Sequence, residues 1–189
     1  TLVGATTKAG LVAGPLHSRF GITVRLDFYA LEDIVKIVRR SAQILEIEAT
    51  DEALEHIARS SRGTPRVANR LLRRVRDFAQ VLGDGTVQAD IVTESMRRLE
   101  IDSYGLETHD RRILATIIEN YEGGPVGAET LAISIGEGID TLEDFYEPYL
   151  IQRGFLKRTP RGRVVTPLAF EHLGYSPDGR KREDQGFLF

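Results

Sequence analysis

Ser61-Arg62-Gly63-Thr64-Pro65-Arg66-Val67-Ala68-Asn69-Arg70-Leu71-Leu72-Arg73-Arg74 decides how this chain is read. Gly63 suits the position just past the end of one helix. Thr64 suits the N-cap of the next, and Pro65 its first helical position, where a missing N–H costs nothing. From there Val67, Leu71, Val75, Phe78 and Leu82 recur at steps of three and four, which predicts one buried stripe. Arg66 is the exception to local logic. It puts a cation in the first turn, where the helix dipole is already positive. An anion between the helix N-terminus and Arg66 would compensate, and a phosphate group fits there. A solvated Arg with a loosely held carboxylate is the other reading of the same residue.

Outward from that stretch, the bulk properties are ordinary. The chain has 189 residues, 28% charged and 41% hydrophobic, with a formal net charge of −3. Length allows one or two domains with a real core. The acidic balance leaves no global field to attract nucleic acid, so DNA binding would need a local patch. Without cysteine there are no disulfides, thiolate metal sites or cysteine nucleophiles. His17, His56, His109 and His172 are scattered without ligand spacing, so no metal site is expected. No apolar run reaches membrane-spanning length and no signal peptide is seen, so a cytoplasmic protein is expected.

Residues 1–29 read as the end of an α/β nucleotide-binding domain. Thr1 to Ala5 looks like a buried strand already under way, which suggests a fragment cut inside a domain. Ile22 to Phe28 alternates like a second strand. Between them, Leu16-His17-Ser18-Arg19-Phe20-Gly21 holds an Arg beside an aromatic expected to anchor the loop in the core. No Gly-x-x-x-x-Gly-Lys-Ser/Thr loop occurs in the sequence, and no acidic pair for magnesium accompanies it. As given, the chain is expected not to hydrolyse ATP.

Residues 30–100 read as a helical lid. Leu31, Ile34, Val35, Val38, Ala42 and Leu45 form one amphipathic helix, and Thr50 caps a second. The Arg66 helix is third and ends near Gly83-Asp84-Gly85, and Ala89 to Leu99 makes a fourth. Arg70, Arg73, Arg74 and Arg76 suit a solvated face or a subunit contact better than DNA, because Asp77 and Glu100 lie close in sequence.

Residues 101–189 begin with a linker, Asp102-Ser103-Tyr104-Gly105. Helices follow over His109–Tyr121, through Leu131 to Ile135, and over Asp140–Gln152. Two alternating runs flank Thr159-Pro160-Arg161-Gly162, a β-hairpin signature. Three helices and a hairpin make a winged helix. The hairpin is strongly basic, with Arg153, Lys157, Arg158, Arg161 and Arg163 and no acid among them. Crowded like charges repel, and a polyanion would relieve that. The preceding helix carries Asp140, Glu143, Asp144 and Glu147 and is a poor candidate for a major groove. The wing is therefore expected to contact phosphates, without reading bases. A wing that packs on another protein is the alternative. The tail from Tyr175 to Phe189 is expected to be disordered.

The segment "SRGTPRVANRLLRRVRDFA" (61–79) resembles the sensor-2 helix of the RuvB family of AAA+ ATPases, bacterial motors that migrate Holliday junctions. "TLVGATTKAGLVAGPLHSRFG" (1–21) and "EPYLIQRGFLKRTPRGR" (147–163) resemble the same family in the same order. The resemblance runs over essentially the whole chain. It implies a mainly α chain with a short α/β remnant: the end of an AAA+ core, a helical lid and a C-terminal winged helix. Thr7 falls on the sensor-1 position, with Thr6 second, where a hydroxyl places the attacking water. Arg19 falls on an arginine finger that reaches ATP bound by a neighbouring subunit, a task suited to an always-charged planar guanidinium. Tyr29 falls on a residue near the adenine, or is a plain hinge aromatic. Arg66 is the sensor-2 arginine, so Arg19, Tyr29 and Arg66 are the candidate ATP-binding residues. Arg158, Arg161 and Arg163 are the candidate DNA-binding residues, Arg158 and Arg163 being the positions that match the family's. The resemblance implies ATP and Mg2+ as cofactors, the Mg2+ ligands lying outside this chain. It implies Holliday junction DNA, RuvA, RuvC and a self-assembled hexameric ring as partners, in recombination and repair.

Two rival readings make different demands on the residues. A winged-helix transcription factor should carry a basic recognition helix, and this one is acidic. A clamp-loader or replication-initiation AAA+ subunit shares the Ser-Arg-Phe and sensor-2 patterns but does not generally end in an Arg-Thr-Pro-Arg-Gly-Arg wing.

Overall fold

The computed structural model describes residues 1–6, 10 and 12–176. Thr7, the expected sensor-1 residue, and the tail beyond Ser176 lie outside the described residues. The elements run α1 (Gly14–His17), α2 (Leu31–Ile44), α3 (Asp51–Arg59), α4 (Pro65–Leu82), α5 (Ala89–Arg98), α6 (Thr108–Tyr121), α7 (Ala128–Ile135), α8 (Ile139–Thr141), a π turn (Leu142–Tyr146), α9 (Glu147–Gln152), β1 (Leu156–Thr159), β2 (Gly162–Val165) and α10 (Pro167–His172). The described residues are mainly helical with one small two-stranded sheet. No described helix is long and apolar enough to cross a membrane.

Two hydrophobic cores form among the described residues. The first joins α2 to α5 through Ile34, Val38, Leu54, Ile57, Leu71, Leu72, Val75 and Val92. Thr50 caps α3 as expected, its Oγ1 accepting from the Ala53 N–H at 3.2 Å. On α4 the buried stripe is Ala68, Leu71, Leu72, Val75 and Ala79. The expected stripe was turned too far, since Phe78 is only half-buried and Leu82 is 40% exposed. Hydropathy counted the large residues, whereas close helix packing puts the small Ala68 and Ala79 at the contact. Thr64 occupies the N-cap position, but its hydroxyl donates to the Arg62 carbonyl at 3.3 Å and does not cap α4.

The second core joins α6, α7, α9, the hairpin and α10 through Leu114, Ile117, Leu131, Leu142, Leu150 and Phe155. The hairpin pairs Leu156 with Val165 and Arg158 with Arg163. Val126 adds a bridge to Arg163, donating and accepting at 3.0 and 2.7 Å. A Cβ at Gly162 would stand 2.3 Å from the Val126 carbonyl oxygen, so this close approach requires glycine. The expected helix Asp140–Gln152 is interrupted by the π turn. Pro148 follows after Glu147: a proline inside a helix lacks an N–H and crowds the preceding turn, and a wider turn relieves both.

The strands and the Phe20 anchor expected within residues 1–29 are not found among the described residues. Neither Thr1–Ala5 nor Ile22–Phe28 is a strand, and Ile22, Val24 and Leu26 are 83%, 70% and 90% exposed. Alternating apolar residues become a strand only beside a partner ladder, and the described residues offer none here. Phe20 is half-buried against Gly4 and not anchored in a core. The segment Asp102–Gly105, expected as a linker, is held by hydrogen bonds of its own. Asp102 accepts from the Tyr104 and Leu106 N–H groups at 2.9 Å each, and from His172 Nε2 at 2.8 Å where that nitrogen carries the proton.

Candidate functional sites: a turn between two domains and a clamped wing

The turn 60–63 is built by two residues with positive φ, Arg62 at 59° and Gly63 at 64°. On one side it receives the chain entering α2. The Tyr29 N–H donates to the Gly63 carbonyl at 2.9 Å, and a Cβ on Gly63 would lie 2.9 Å from the Tyr29 carbonyl oxygen. Tyr29, one of the candidate ATP-binding residues, is thereby tied to the chain three residues before another, Arg66. Arg66 is exposed at the start of α4 and makes no ion pair among the described residues. The carboxylate partner of the alternative reading is therefore not seen. Arg66 lines an open cleft of about 320 Å³ with Ser41, Ile44, Leu45, Asn69 and Arg73. Asn69 Oδ1 is buried there without a partner.

On its other side the turn meets the winged helix. Arg62 Nε donates to the Gly105 carbonyl at 2.7 Å, and its Nη2 donates to Asp110. The guanidinium also lies 4.9 Å from the centre of the Tyr149 ring. Asp110 sits in the first turn of α6, where it closes a capping box by accepting from the Glu107 N–H at 2.8 Å. Burial pushes the Asp110 carboxyl above its usual value, against the opposing pull of Arg62. Arg70 adds an outer ion pair to Glu107 at 3.2 Å. Nothing in the sequence neighbourhood of Arg62 marks it as the joint between domains.

Arg19 follows the short α1 and is exposed, with no ion pair among the described residues. No hydrogen bond among the described residues joins it to Tyr29 or Arg66. The structure thus ties the backbone of Tyr29 to the turn that leads into Arg66, and leaves Arg19 on a separate loop.

The wing differs from a simple basic ribbon. Its expected like-charge repulsion is relieved within the chain, because Glu147 and Glu143 lie against it. Glu147 is fully buried. It accepts from Arg158 Nε at 2.5 Å and from Arg163 Nε at 2.7 Å. Arg163 Nη2 also donates to Glu143, and the Arg163 side chain is only 13% exposed. Burial alone would lower the Arg163 pKa, but the two carboxylates raise it. Arg158 keeps 49% of its side chain exposed. Lys157 and Arg161 are exposed and without ion pairs among the described residues. Arg163 is therefore set back, and Lys157, not singled out as a site residue, joins Arg158 and Arg161 at the surface. The i, i+4 pair Glu143 and Glu147 before a basic hairpin was the available signal for this clamp.

Comparison with known proteins follows the same division. Residues 29–102 match the RuvB AAA lid domain family, and residues 103–174 match the RuvB C-terminal winged helix domain family. The chain is similar to the Holliday junction branch migration complex subunit RuvB of Treponema denticola, with 64% identity over 177 residues, covering 94% of this chain and 52% of that protein. It is also similar to the structure of the Thermotoga maritima RuvB Holliday junction branch migration motor, with a TM-score of 0.85 and 52% identity, covering 88% of this chain and 56% of that one. The structure of a single-substitution variant of Thermotoga maritima RuvB matches equally well, with a TM-score of 0.85 and the same 52% identity over 88% of this chain and 56% of that one. The chain spans about half the length of these relatives. With both RuvB-specific domains recognised side by side over residues 29–174, this chain belongs to the RuvB family.

Proposed function

We propose that this chain is the lid and DNA-contacting part of a Holliday junction branch migration motor subunit, an ATP-driven machine that pulls duplex DNA through a junction. The observation that carries the DNA contact is the cluster of Lys157, Arg158 and Arg161, exposed on a wing of a chain whose net charge is −3. Cations presented on a ribbon suit phosphates, and phosphate contacts hold any sequence equally, as a motor moving along DNA requires. Arg163, paired with Glu143 and Glu147, braces the ribbon from behind.

Arg66 and Tyr29, joined through the Gly63 turn, are proposed to face ATP, with Arg66 sensing its phosphates. Arg19 is proposed to serve a neighbouring subunit's ATP, which suits an exposed guanidinium with no ion pair among the described residues. Thr7 is proposed as sensor 1. ATP and Mg2+ are proposed as cofactors, the Mg2+ held by ligands outside this chain. RuvA, RuvC and a hexameric ring are proposed as partners, and the cytoplasm as the location. The rival of a sequence-reading transcription factor is disfavoured by the acidic helix before the wing, whose Glu143 and Glu147 are turned to the hairpin's arginines.

The test is binding of this chain to a four-way junction and to linear duplexes of unrelated sequence. Binding to all of them, falling steeply with salt, is expected. Affinity confined to one sequence, or none at low salt, overturns the reading.

A further inference from the structure

Glu147 is the one fully buried carboxylate among the described residues that touches the wing, and it serves two arginines at once. Its Oε2 lies 2.5 Å from both Nε and Nη2 of Arg158, and its Oε1 accepts from Arg163 Nε at 2.7 Å. A carboxylate withdrawn from water is unfavourable unless it is fully partnered, and an apolar residue packs such a site more readily. Its partners here are unequal. Arg163 is 13% exposed and is held by two carboxylates, its Nη2 donating to Glu143 while its Nε donates to Glu147. Arg158 is 49% exposed and is held by one edge, leaving Nη1 outside these contacts.

Local structure fixes the clamp. The π turn and Pro148 set where α9 begins, and Glu147 is its first residue. Arg158 and Arg163 are paired across the hairpin, so one carboxylate reaches both. Immobilising a long, flexible side chain before the ligand arrives removes an entropic cost from binding.

We propose that Glu147 is a positioning residue for DNA binding: its buried carboxylate holds Arg158 by one edge, leaving the other for a phosphate, while Arg163 serves as the strut between strand and helix. The proposal rests on the reading of the wing as a DNA contact. It predicts an unusual sign. Glu147→Gln removes a negative charge, and electrostatics alone would then tighten duplex binding and steepen its salt dependence. Positioning predicts the reverse.

The experiment measures affinity for a short duplex of mixed sequence across a salt series, for the whole chain and four variants: Glu147→Gln, Arg158→Ala, Arg161→Ala and the double variant of Glu147→Gln with Arg158→Ala. Glu147→Gln is expected to weaken binding roughly three- to tenfold, the affinity equivalent of losing one immobilised side chain. That loss is expected to vanish in the Arg158→Ala background, because Glu147 acts through Arg158. Tighter or unchanged binding by Glu147→Gln overturns the proposal, and so does an equal loss in both backgrounds, which would mean general damage to the domain. Should Glu147→Gln not fold, Glu147→Asp carries the same test with the charge retained and the carboxylate withdrawn: weaker binding that depends on Arg158 supports the proposal, and unchanged binding refutes it. Failure of the wing reading looks different: Arg158→Ala and Arg161→Ala would then each leave duplex affinity unchanged.

Discussion

Arg62, on the turn before α4, donates to the carboxylate of Asp110, a fully buried residue in the first turn of α6. The lid thereby grips the winged helix through an ion pair whose arginine is only 10% exposed. Arg62→Ala leaves a buried charge without its partner and should lower stability by about 3–5 kcal/mol. Replacing both residues together, Arg62→Met with Asp110→Leu, should cost much less. Urea unfolding of the three proteins checks this. A loss below about 1 kcal/mol for Arg62→Ala would place the pair among weakly contributing surface contacts.

The same carboxylate makes a signed prediction for pH. Burial raises the Asp110 pKa above its ordinary value of 3.8. The folded chain then holds a proton that the unfolded chain has released, so this group's contribution is most favourable below pH 3.8 and declines as pH rises through the folded value. Measured against Asp110→Asn, the native chain should lose relative stability over that rise and then level off. If Arg62 outweighed burial, the difference would grow with pH instead.

At Gly63 an Ala must adopt φ near 64° and place its Cβ 2.9 Å from the Tyr29 carbonyl oxygen. The left-handed backbone alone costs roughly 1–2 kcal/mol. Gly63→Ala should lower stability by at least that and speed hydrogen exchange of the Tyr29 amide, whose bond to the Gly63 carbonyl is displaced. An unchanged Tyr29 exchange rate would show that the turn does not hold the entering chain.

On the wing, removing one cation that neutralises a phosphate flattens the plot of log affinity against log salt by about one unit. Arg158→Ala with Arg161→Ala should flatten it by roughly two, equally on AT-rich and GC-rich duplexes. Arg163→Ala should act differently, lowering stability as well as affinity, because it leaves Glu147 buried with one partner fewer. Circular dichroism melting beside the salt titration separates the two effects.

The chain by itself carries no phosphate-binding loop and should turn over no ATP above background. In a RuvB subunit that joins such a loop to this chain, Arg19→Ala should leave nucleotide binding nearly intact and lower turnover roughly 10³-fold or more. Mixing with a subunit unable to bind ATP should restore part of the activity at shared interfaces. Loss of ATP binding by the isolated subunit would show that Arg19 acts within its own chain.

What the sequence determined by itself was local. Thr50, Pro65 and the periodic apolar residues placed the helices, because caps and amphipathic stripes depend on neighbours within a turn or two. The Thr-Pro-Arg-Gly turn and its flanking runs placed the hairpin for the same reason. Three matching segments in order made the RuvB resemblance legible. Tertiary structure alone decided the rest. Ile22 to Phe28 alternates like a strand, but a ladder needs a partner that no local pattern supplies. Ala68 and Ala79, not Phe78 and Leu82, face the lid core because helix approach is set by the opposing surface. Arg62 and Asp110 lie 48 positions apart, and Arg163 and Glu147 lie 16 apart. Whether an arginine waits for a ligand or is already held by a carboxylate depends on what folding brings beside it, and one-dimensional charge patterns record only the charge.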